Sequence, residues 1–341
     1  MAEQRCRRQG LDVPHSSRLV VSGCAGFIGS HLCESLLGAG HQVLGIDNLV
    51  TGTRINLEPF AHHPGFEFIA HDACDPLPEV IHGRRFDAVL HLASPASPKD
   101  YAELPIETLW VNAVGTRHLL DLARDSDARF VLASTSEVYG DPLVSPQTED
   151  YSGNANPIGP RGCYNEGKRY AEALVKAYER RLGIDHTIVR IFNCYGPRMR
   201  QDDGRVIPQF IIQCLRGEPL TIYGSGRQDR SFCYVSDLVR GIVAATFSPH
   251  TQRQVMNLGS PEPISILGLA QAIRRLTGSR SEIRHLALPE DDPQTRCPDI
   301  ERARKWIGFA PEVGLETGLQ ATIAYFKRVL TAGPAAAVRE R

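Results

Sequence analysis

Three glycines at one fixed spacing constrain this chain more than any other feature. The run Arg18-Leu19-Val20-Val21 reads as a short buried strand and leads straight into Gly23-Cys24-Ala25-Gly26-Phe27-Ile28-Gly29, after which an apolar helical pattern continues through Leu37. In a strand–turn–helix unit, glycines three apart make the tight turn, let the backbone approach a pyrophosphate and allow the helix to pack close on the strand. The helix N-terminus then offers unpaired N–H groups and a partial positive charge to phosphate oxygens. A second strand, Gln42 to Ile46, ends in Asp47, near the distance at which an acid takes the ribose hydroxyls of a dinucleotide. A carboxylate there repels a 2′-phosphate, so the expected cofactor is NAD rather than NADP.

Strand-like and helical segments alternate after this unit. Strands are predicted at Phe66 to Ala70, Ala88 to Ala93, Phe130 to Ala133 and Thr187 to Phe192, with helices at Ile106 to Arg124 and Tyr164 to Arg181. Such alternation implies right-handed crossovers and a parallel sheet covered on both faces. The expected fold class is therefore α/β, a doubly wound parallel sheet of the Rossmann type. After Phe192 glycine and proline recur, at Gly196-Pro197, Gly204, Pro208, Gly217, Pro219, Gly224 and Gly226, and a smaller, irregular α/β substrate lobe is expected on the C-terminal side. The domains so drawn are an NAD-binding unit over residues 18–192 and a mainly substrate-binding lobe over 193–330, with some segments returning to the first unit. Residues 1–17, which carry the basic cluster Arg5, Arg7 and Arg8, and the Ala-rich residues 331–341 are expected to be disordered tails.

The catalytic reading rests on Tyr164 and Lys168. On a helix, positions four apart lie one above the other, so phenol and ammonium can face one site. An adjacent ammonium favours phenolate over phenol and would bring a group of ordinary pKa about 10 toward use as a base. Ser136 or Thr135, at the end of a predicted strand, can supply a second hydrogen bond to the same substrate oxygen. A Tyr-x-x-x-Lys pair is informative only beside a cofactor site, which the glycine unit provides.

Together these residues resemble the extended short-chain dehydrogenase/reductases that modify nucleotide sugars. The motifs are Gly26 to Leu32, Asp47-Asn48 with Thr51-Gly52, His91-Leu92-Ala93-Ser94-Pro95-Ala96-Ser97-Pro98, Ser134 to Gly140 and Tyr164/Lys168. Within that group the chain is most similar to the UDP-glucuronate decarboxylases, also called UDP-xylose synthases. The specific stretches are Asn156 to Arg161, Tyr195 to Met199, Asp203 to Val206, Gly217 to Thr221 and Asp291 to Gln294, and the likeness runs from about Arg18 to Lys327. Cys24, Gly162 and Asn165 depart from the usual pattern; a side chain at Cys24 could crowd the turn.

The resemblance implies a chemistry. Tyr164 takes the 4-hydroxyl proton of the hexuronic acid while hydride leaves C4 for NAD, and the resulting β-keto acid loses carbon dioxide without a metal. Hydride then returns to C4 and a UDP-pentose results. Ser136 and Thr135 would hold the C4 oxygen, with Ser136 the nearer, Lys168 would lower the tyrosine pKa and bond the nicotinamide ribose, and Glu137 would handle the C5 proton or order a water. Implied cofactor contacts add Phe27, Ile28, Asn48, Thr51, Gly52, Asp72, Leu92 and Ala93 to Gly23, Gly26, Gly29 and Asp47. Implied substrate contacts are Pro95, Arg161, Asn193 on the diphosphate, Arg230 and Arg296 on the phosphates or the sugar carboxylate, and Val206 and Tyr223 around the uracil.

Other readings stand beside this one. A nucleotide-sugar 4,6-dehydratase shares the fold but usually has Asp where this chain has Ser136; a 4-epimerase typically lacks a glutamate at the place of Glu137. A non-catalytic NAD-sensing protein on the same fold is a third possibility. With 38 basic and 39 acidic residues, nothing in the charge balance attracts nucleic acid or an anionic membrane. Nine cysteines without a Cys-x-x-Cys pair point to a reducing compartment and away from a structural zinc. No leader pattern or spanning apolar run is present, so the expected location is cytoplasmic. The apolar stripes of the helices at 106–124 and 164–181 suggest a homodimer.

Overall fold

The structure, a computed structural model, describes residues 16–287 and 295–331. The basic N-terminal cluster, the Asp291 to Gln294 motif and the Ala-rich end lie outside the described residues. Ser17, assigned above to a tail, is buried; its N–H donates to His41 Nδ1 at 3.2 Å and its carbonyl accepts from the Gln42 N–H at 2.9 Å.

The first half of the chain builds most of one sheet. β1 (Arg18–Ser22), α1 (Phe27–Gly38), β2 (Gln42–Asp47), β3 (Phe66–Ala70) and β4 (Ala88–His91) come first. They are followed by α2 (Pro98–Glu103), α3 (Pro105–Trp110), a π turn (Val111–Gly115), α4 (Thr116–Ser126), β5 (Arg129–Thr135), α5 (Gly162–Leu182) and β6 (His186–Ile191). The helix predicted at 106–124 is thus two helices joined by a π turn, in which Asn112 is fully buried. The strand predicted through Ala93 ends at His91, because the chain turns there into the cleft described below.

The second half is built of shorter pieces. It runs β7 (Cys194–Tyr195), α6 (Val206–Arg216), β8 (Leu220–Tyr223), β9 (Asp229–Ser231), β10 (Cys233–Tyr234), α7 (Val235–Phe247) and β11 (Gln254–Leu258). Then come β12 (Pro263–Ser265), α8 (Ile266–Thr277), β13 (Ile283–Leu286), β14 (Thr295–Arg296), α9 (Glu301–Ile307) and α10 (Leu315–Thr331).

The main sheet has seven parallel strands in the order β11-β6-β5-β4-β1-β2-β3. Strand order reverses between β1 and β4, and in such sheets the ligand crevice opens beyond the carboxyl ends of the strands at that point. Strand pleating sends alternate residues to opposite faces. Leu19 and Val21 accordingly enter one core with Leu36, Leu238 and Ile307, and Val20 enters another with Leu119, Leu120 and Val175. β11, α7 and α9 follow Phe192 in sequence yet belong to the sheet and its first core. A third core, with Phe210, Ile211, Leu269, Ile273 and Phe326, lies under α6, α8 and α10 and carries the short strands of the C-terminal lobe.

Candidate active site

One cleft, about 1200 Å³ with its open mouth, runs along the carboxyl ends of β1, β4, β5 and β6. Its cofactor end is shaped by the glycines. Gly23 has φ +76° and sits against the β4 exit, where an added Cβ would lie 2.7 Å from the Ala93 nitrogen. A Cβ on Gly29 would overlap the Gly23 carbonyl oxygen. Gly26 is the N-cap of α1 and no side chain caps its N–H groups, while Gly23, Gly26, Phe27, Ile28 and Gly29 all line the cleft. This backbone cradle, empty of side chains at a helix N-terminus, fits a pyrophosphate. Cys24 does not crowd it: its sulfur points down to β2, into the space that a Cβ at Gly45 would fill at 2.7 Å.

Asp47 is buried at the end of β2. Its Oδ2 accepts from the Ala25 N–H at 2.9 Å and its Oδ1 from the Leu49 N–H at 2.8 Å, so the acid also braces the glycine turn. Burial pushes its carboxyl up against the opposing pull of those two N–H groups. A Cβ on Gly52 would come within 2.8 Å of Asp47 Oδ1. Next to it Asn48 donates to Asp72 Oδ2 at 2.9 Å; although burial raises the Asp72 carboxyl, the Cys74 N–H and Asn48 outweigh it and hold the group low. Thr51 and Leu92 line the cleft, whereas Asp47, Asn48, Gly52, Asp72 and Ala93 do not.

The middle of the cleft brings Thr135, Ser136, Glu137, Tyr164 and Lys168 together. β5 ends at Thr135, and Ser136 opens a single 3₁₀ turn (Ser136–Tyr139) whose Glu137 N–H donates to Thr135 Oγ1 at 3.2 Å. Tyr164, in the first turn of α5, lies flat on Tyr101, with ring centroids 5.2 Å apart and planes 9° from parallel. The expected lowering of its pKa is not what this geometry gives. Burial pushes the Tyr164 phenol up, and the groups that pull it back are the hydrogen-bonded Thr135 hydroxyl, Arg205 and Arg296. Lys168 instead donates to the Ala133 carbonyl at 2.8 Å, and burial brings its ammonium down to about 8. Thr135 rather than Ser136 is the hydroxyl on Tyr164.

The far end of the cleft gathers arginines around Glu137. Arg296 Nη1 donates to Glu137 Oε1 at 2.6 Å and Arg161 approaches the same oxygen at 3.5 Å. Burial raises the Glu137 carboxyl, but Arg296, Arg161 and Arg230 outweigh it and keep it ionised. A carboxylate held low by guanidinium groups is a poor acid at neutral pH, so of the two expected roles the geometry suits the ordering of a water better than the giving of a proton. Asn193 lines the cleft and donates to the Ser231 carbonyl at 3.3 Å. Pro95, Arg161, Val206, Tyr223 and Arg230 do not line it; Tyr223, at the end of β8, is 40% exposed.

Several lining residues had no role in the sequence reading. Arg205 donates to the Ala96 carbonyl at 2.8 Å, Arg200 pairs with Asp100 at 2.6 Å, and Arg198 pairs with Glu34. Arg205 and Arg198 carried a signal, since they lie in the Asp203 to Val206 and Tyr195 to Met199 motifs; Arg200 carried none. Tyr101, beneath Tyr164, carried none.

Comparison with known proteins agrees with this geometry. The model of the NAD-dependent epimerase/dehydratase family matches residues 19–259. The chain belongs to that family. NAD is therefore its cofactor. UDP-glucuronic acid decarboxylase 1 of Xenopus tropicalis is 50% identical over 313 residues, 92% of this chain and 73% of that protein. UDP-glucuronic acid decarboxylase 1 of Arabidopsis thaliana is 46% identical, over 91% of this chain and 70% of that protein. Among solved structures, the UDP-glucuronic acid 4-epimerase of Bacillus cereus, in complex with UDP-glucuronic acid and NAD, superposes with a TM-score of 0.83 at 31% identity. That match covers 92% of this chain and 99% of the epimerase.

Proposed function

We propose that this protein is a UDP-glucuronate decarboxylase, converting UDP-glucuronate to UDP-xylose through a 4-keto intermediate. The observation that carries the reading is the state of Arg296. Its side chain is almost fully buried in the cleft, Nη1 is held by Glu137, and Nη2 has no hydrogen-bond partner among the described residues. A buried guanidinium with a free donor is costly unless an anion completes it. A hexuronate carboxylate is such an anion, and its arrival would place C4 of the sugar toward Tyr164.

The residues then divide the work. Tyr164, stacked on Tyr101, takes and returns the C4 hydroxyl proton, with the Thr135 hydroxyl sharing the same oxygen and Ser136 beside it. Bound NAD would supply the hydride acceptor for C4 and the donor that restores it. Lys168 bonds the nicotinamide ribose from the next turn of α5. Glu137 stays ionised and fixes the direction of Arg296. Asn193, which lines the cleft, holds the nucleotide diphosphate. Once C4 is a ketone, the carboxylate on C5 is β to it, the bond to carbon dioxide breaks with its electrons passing into the carbonyl, and C5 of the resulting enolate takes a proton from a water molecule before hydride returns to C4.

A 4-epimerase acting on the same sugar would bind the carboxylate too. The decarboxylase reading is favoured by identities of 45–50% to named decarboxylases against 31% to the solved epimerase, and by the glutamate beside Ser136. Incubation with UDP-glucuronate and NAD, followed by mass spectrometry, should show a nucleotide sugar lighter by one carbon dioxide. A new nucleotide sugar of unchanged mass but different chromatographic retention would make the protein an epimerase.

The functional unit proposed is a homodimer, paired through Ile106, Leu109 and Trp110 of α3 and Tyr170 of α5, each 43–73% exposed. No helix among the described residues is long and apolar enough to cross a membrane, and all eight described cysteines are free thiols. A cytoplasmic, reducing location fits those thiols.

A further inference from the structure

Next to Lys168, outside the cleft lining, is a buried ion pair that the proposed chemistry does not use. Glu172 follows Lys168 by one turn of α5. Its Oε1 accepts from Ser134 Oγ at 2.6 Å and from Arg190 Nε at 2.9 Å, and its Oε2 accepts from Arg190 Nη2 at 2.7 Å. Arg190, on β6, is itself fixed: its guanidinium lies 4.9 Å over the Tyr139 ring, and Nη1 donates to Tyr139 Oη and to the Glu149 carbonyl, both at 3.0 Å. Both charged side chains are only 13% exposed. A buried ion pair of this kind adds little net stability, because desolvation offsets the attraction and an apolar pair of equal volume would serve. Its place in the fold suggests another use. Two successive residues of β5 grip two successive turns of α5, Ala133 through Lys168 and Ser134 through Glu172.

We propose that Glu172, held by Arg190 and Ser134, is a positioning residue that keeps Lys168 aimed at the cofactor. The surroundings of Lys168 support this. Tyr164 and Glu172 flank it on its own helix. His91 faces it from β4, held neutral because burial, with Lys168 itself, pushes the imidazole down to about 3. β5 offers the Ala133 carbonyl and the hydroxyls of Ser134 and Thr135, β6 offers Arg190 behind Glu172, and the π turn offers the uncharged Asn112. Against the burial that draws the ammonium down to about 8, the opposing charge is that of Glu172.

The inference rests on Lys168 holding the cofactor as proposed above, so its test reads binding and stands whether the reaction is decarboxylation or epimerisation. NAD affinity is measured by calorimetry across neutral and alkaline pH, with the thermal midpoint recorded on the same samples. In the parent, affinity should fall as pH rises through about 8, where the lysine loses its charge. Glu172→Gln should weaken NAD binding and move that fall toward lower pH, the direction expected from losing an opposite charge one helical turn away. Glu172→Asp, which withdraws the charge by one methylene, should move it the same way by less, and decides the matter if the Gln variant does not fold. A lower thermal midpoint with an unmoved pH dependence would make Glu172 a structural residue only. A parental affinity flat across this range would overturn the proposal outright.

Discussion

Tyr164 and Lys168 show how far single residues can be read before a fold is known. Their spacing on a helix was legible, because a four-residue interval places both side chains on one face whatever surrounds them. The direction of the tyrosine shift was not, because it is set by burial, which outweighs the pull of Thr135, Arg205 and Arg296, and the residues that cover the ring, Tyr101 among them, are distant in sequence. Tyr164→Phe removes the one oxygen that exchanges the C4 proton while keeping the ring on Tyr101. It should bind NAD normally and lose a hundredfold or more, roughly, in turnover; near-parental turnover would remove Tyr164 from the mechanism. Glu137 gives a sharper test of a residue whose role the geometry narrows. In Glu137→Gln, Arg296 loses its anionic partner and grips the sugar carboxylate more tightly before it departs than after. KM for UDP-glucuronate should fall and carbon dioxide release should slow more than NAD reduction does in a single turnover. Equal slowing of the two signals would place Glu137 in the hydride step.

At the level of elements, the glycine turn was the most legible part of the molecule, since its constraint is local. Gly23 must adopt positive φ against Ala93, and Gly29 must pass under Gly23 without a Cβ, so the spacing itself encodes the strand–turn–helix. What the sequence concealed is that Asp47 closes this turn from the side. Because its two oxygens hold the Ala25 and Leu49 N–H groups, Asp47→Ala should do more than relax cofactor choice. It should weaken NAD roughly tenfold or more, lower the thermal midpoint by loss of two charge-assisted hydrogen bonds, one of them buried, and narrow the gap between NAD and NADP. Titration with both cofactors beside a melting curve checks this; unchanged binding with a lowered midpoint would make Asp47 a brace and nothing more. The π turn between α3 and α4 was hidden for a different reason. An apolar stripe is interrupted so slightly by one widened turn that period alone cannot register it.

On the scale of the whole molecule, local pattern loses its hold and long-range pairing decides. The alternation of strands and helices was enough for a doubly wound sheet, yet nothing in the Gly- and Pro-rich stretch after Phe192 marks β11 as the strand that completes it beside β6. The same limit applies to what lies outside the chain. Ile106, Leu109 and Trp110 on α3 and Tyr170 on α5 leave large apolar side chains in solvent, at 73, 43, 58 and 53% exposure, on two helices that pack against each other. Covering side chains of this size with a second copy gains roughly 25 cal/mol per Å² of apolar surface, and the pair would meet about a two-fold axis. Trp110→Glu puts a charge at the centre of that surface without touching the cleft lining. In analytical ultracentrifugation the parent should sediment at twice 37.6 kDa and the variant at once that mass. Because α5 carries Tyr164 and Lys168, the separated subunit should still bind NAD, but with a lower thermal midpoint, its catalytic helix having lost the partner that covers its outer face. A parent that sediments as a single chain at micromolar concentration would show that this apolar face serves something other than a second copy.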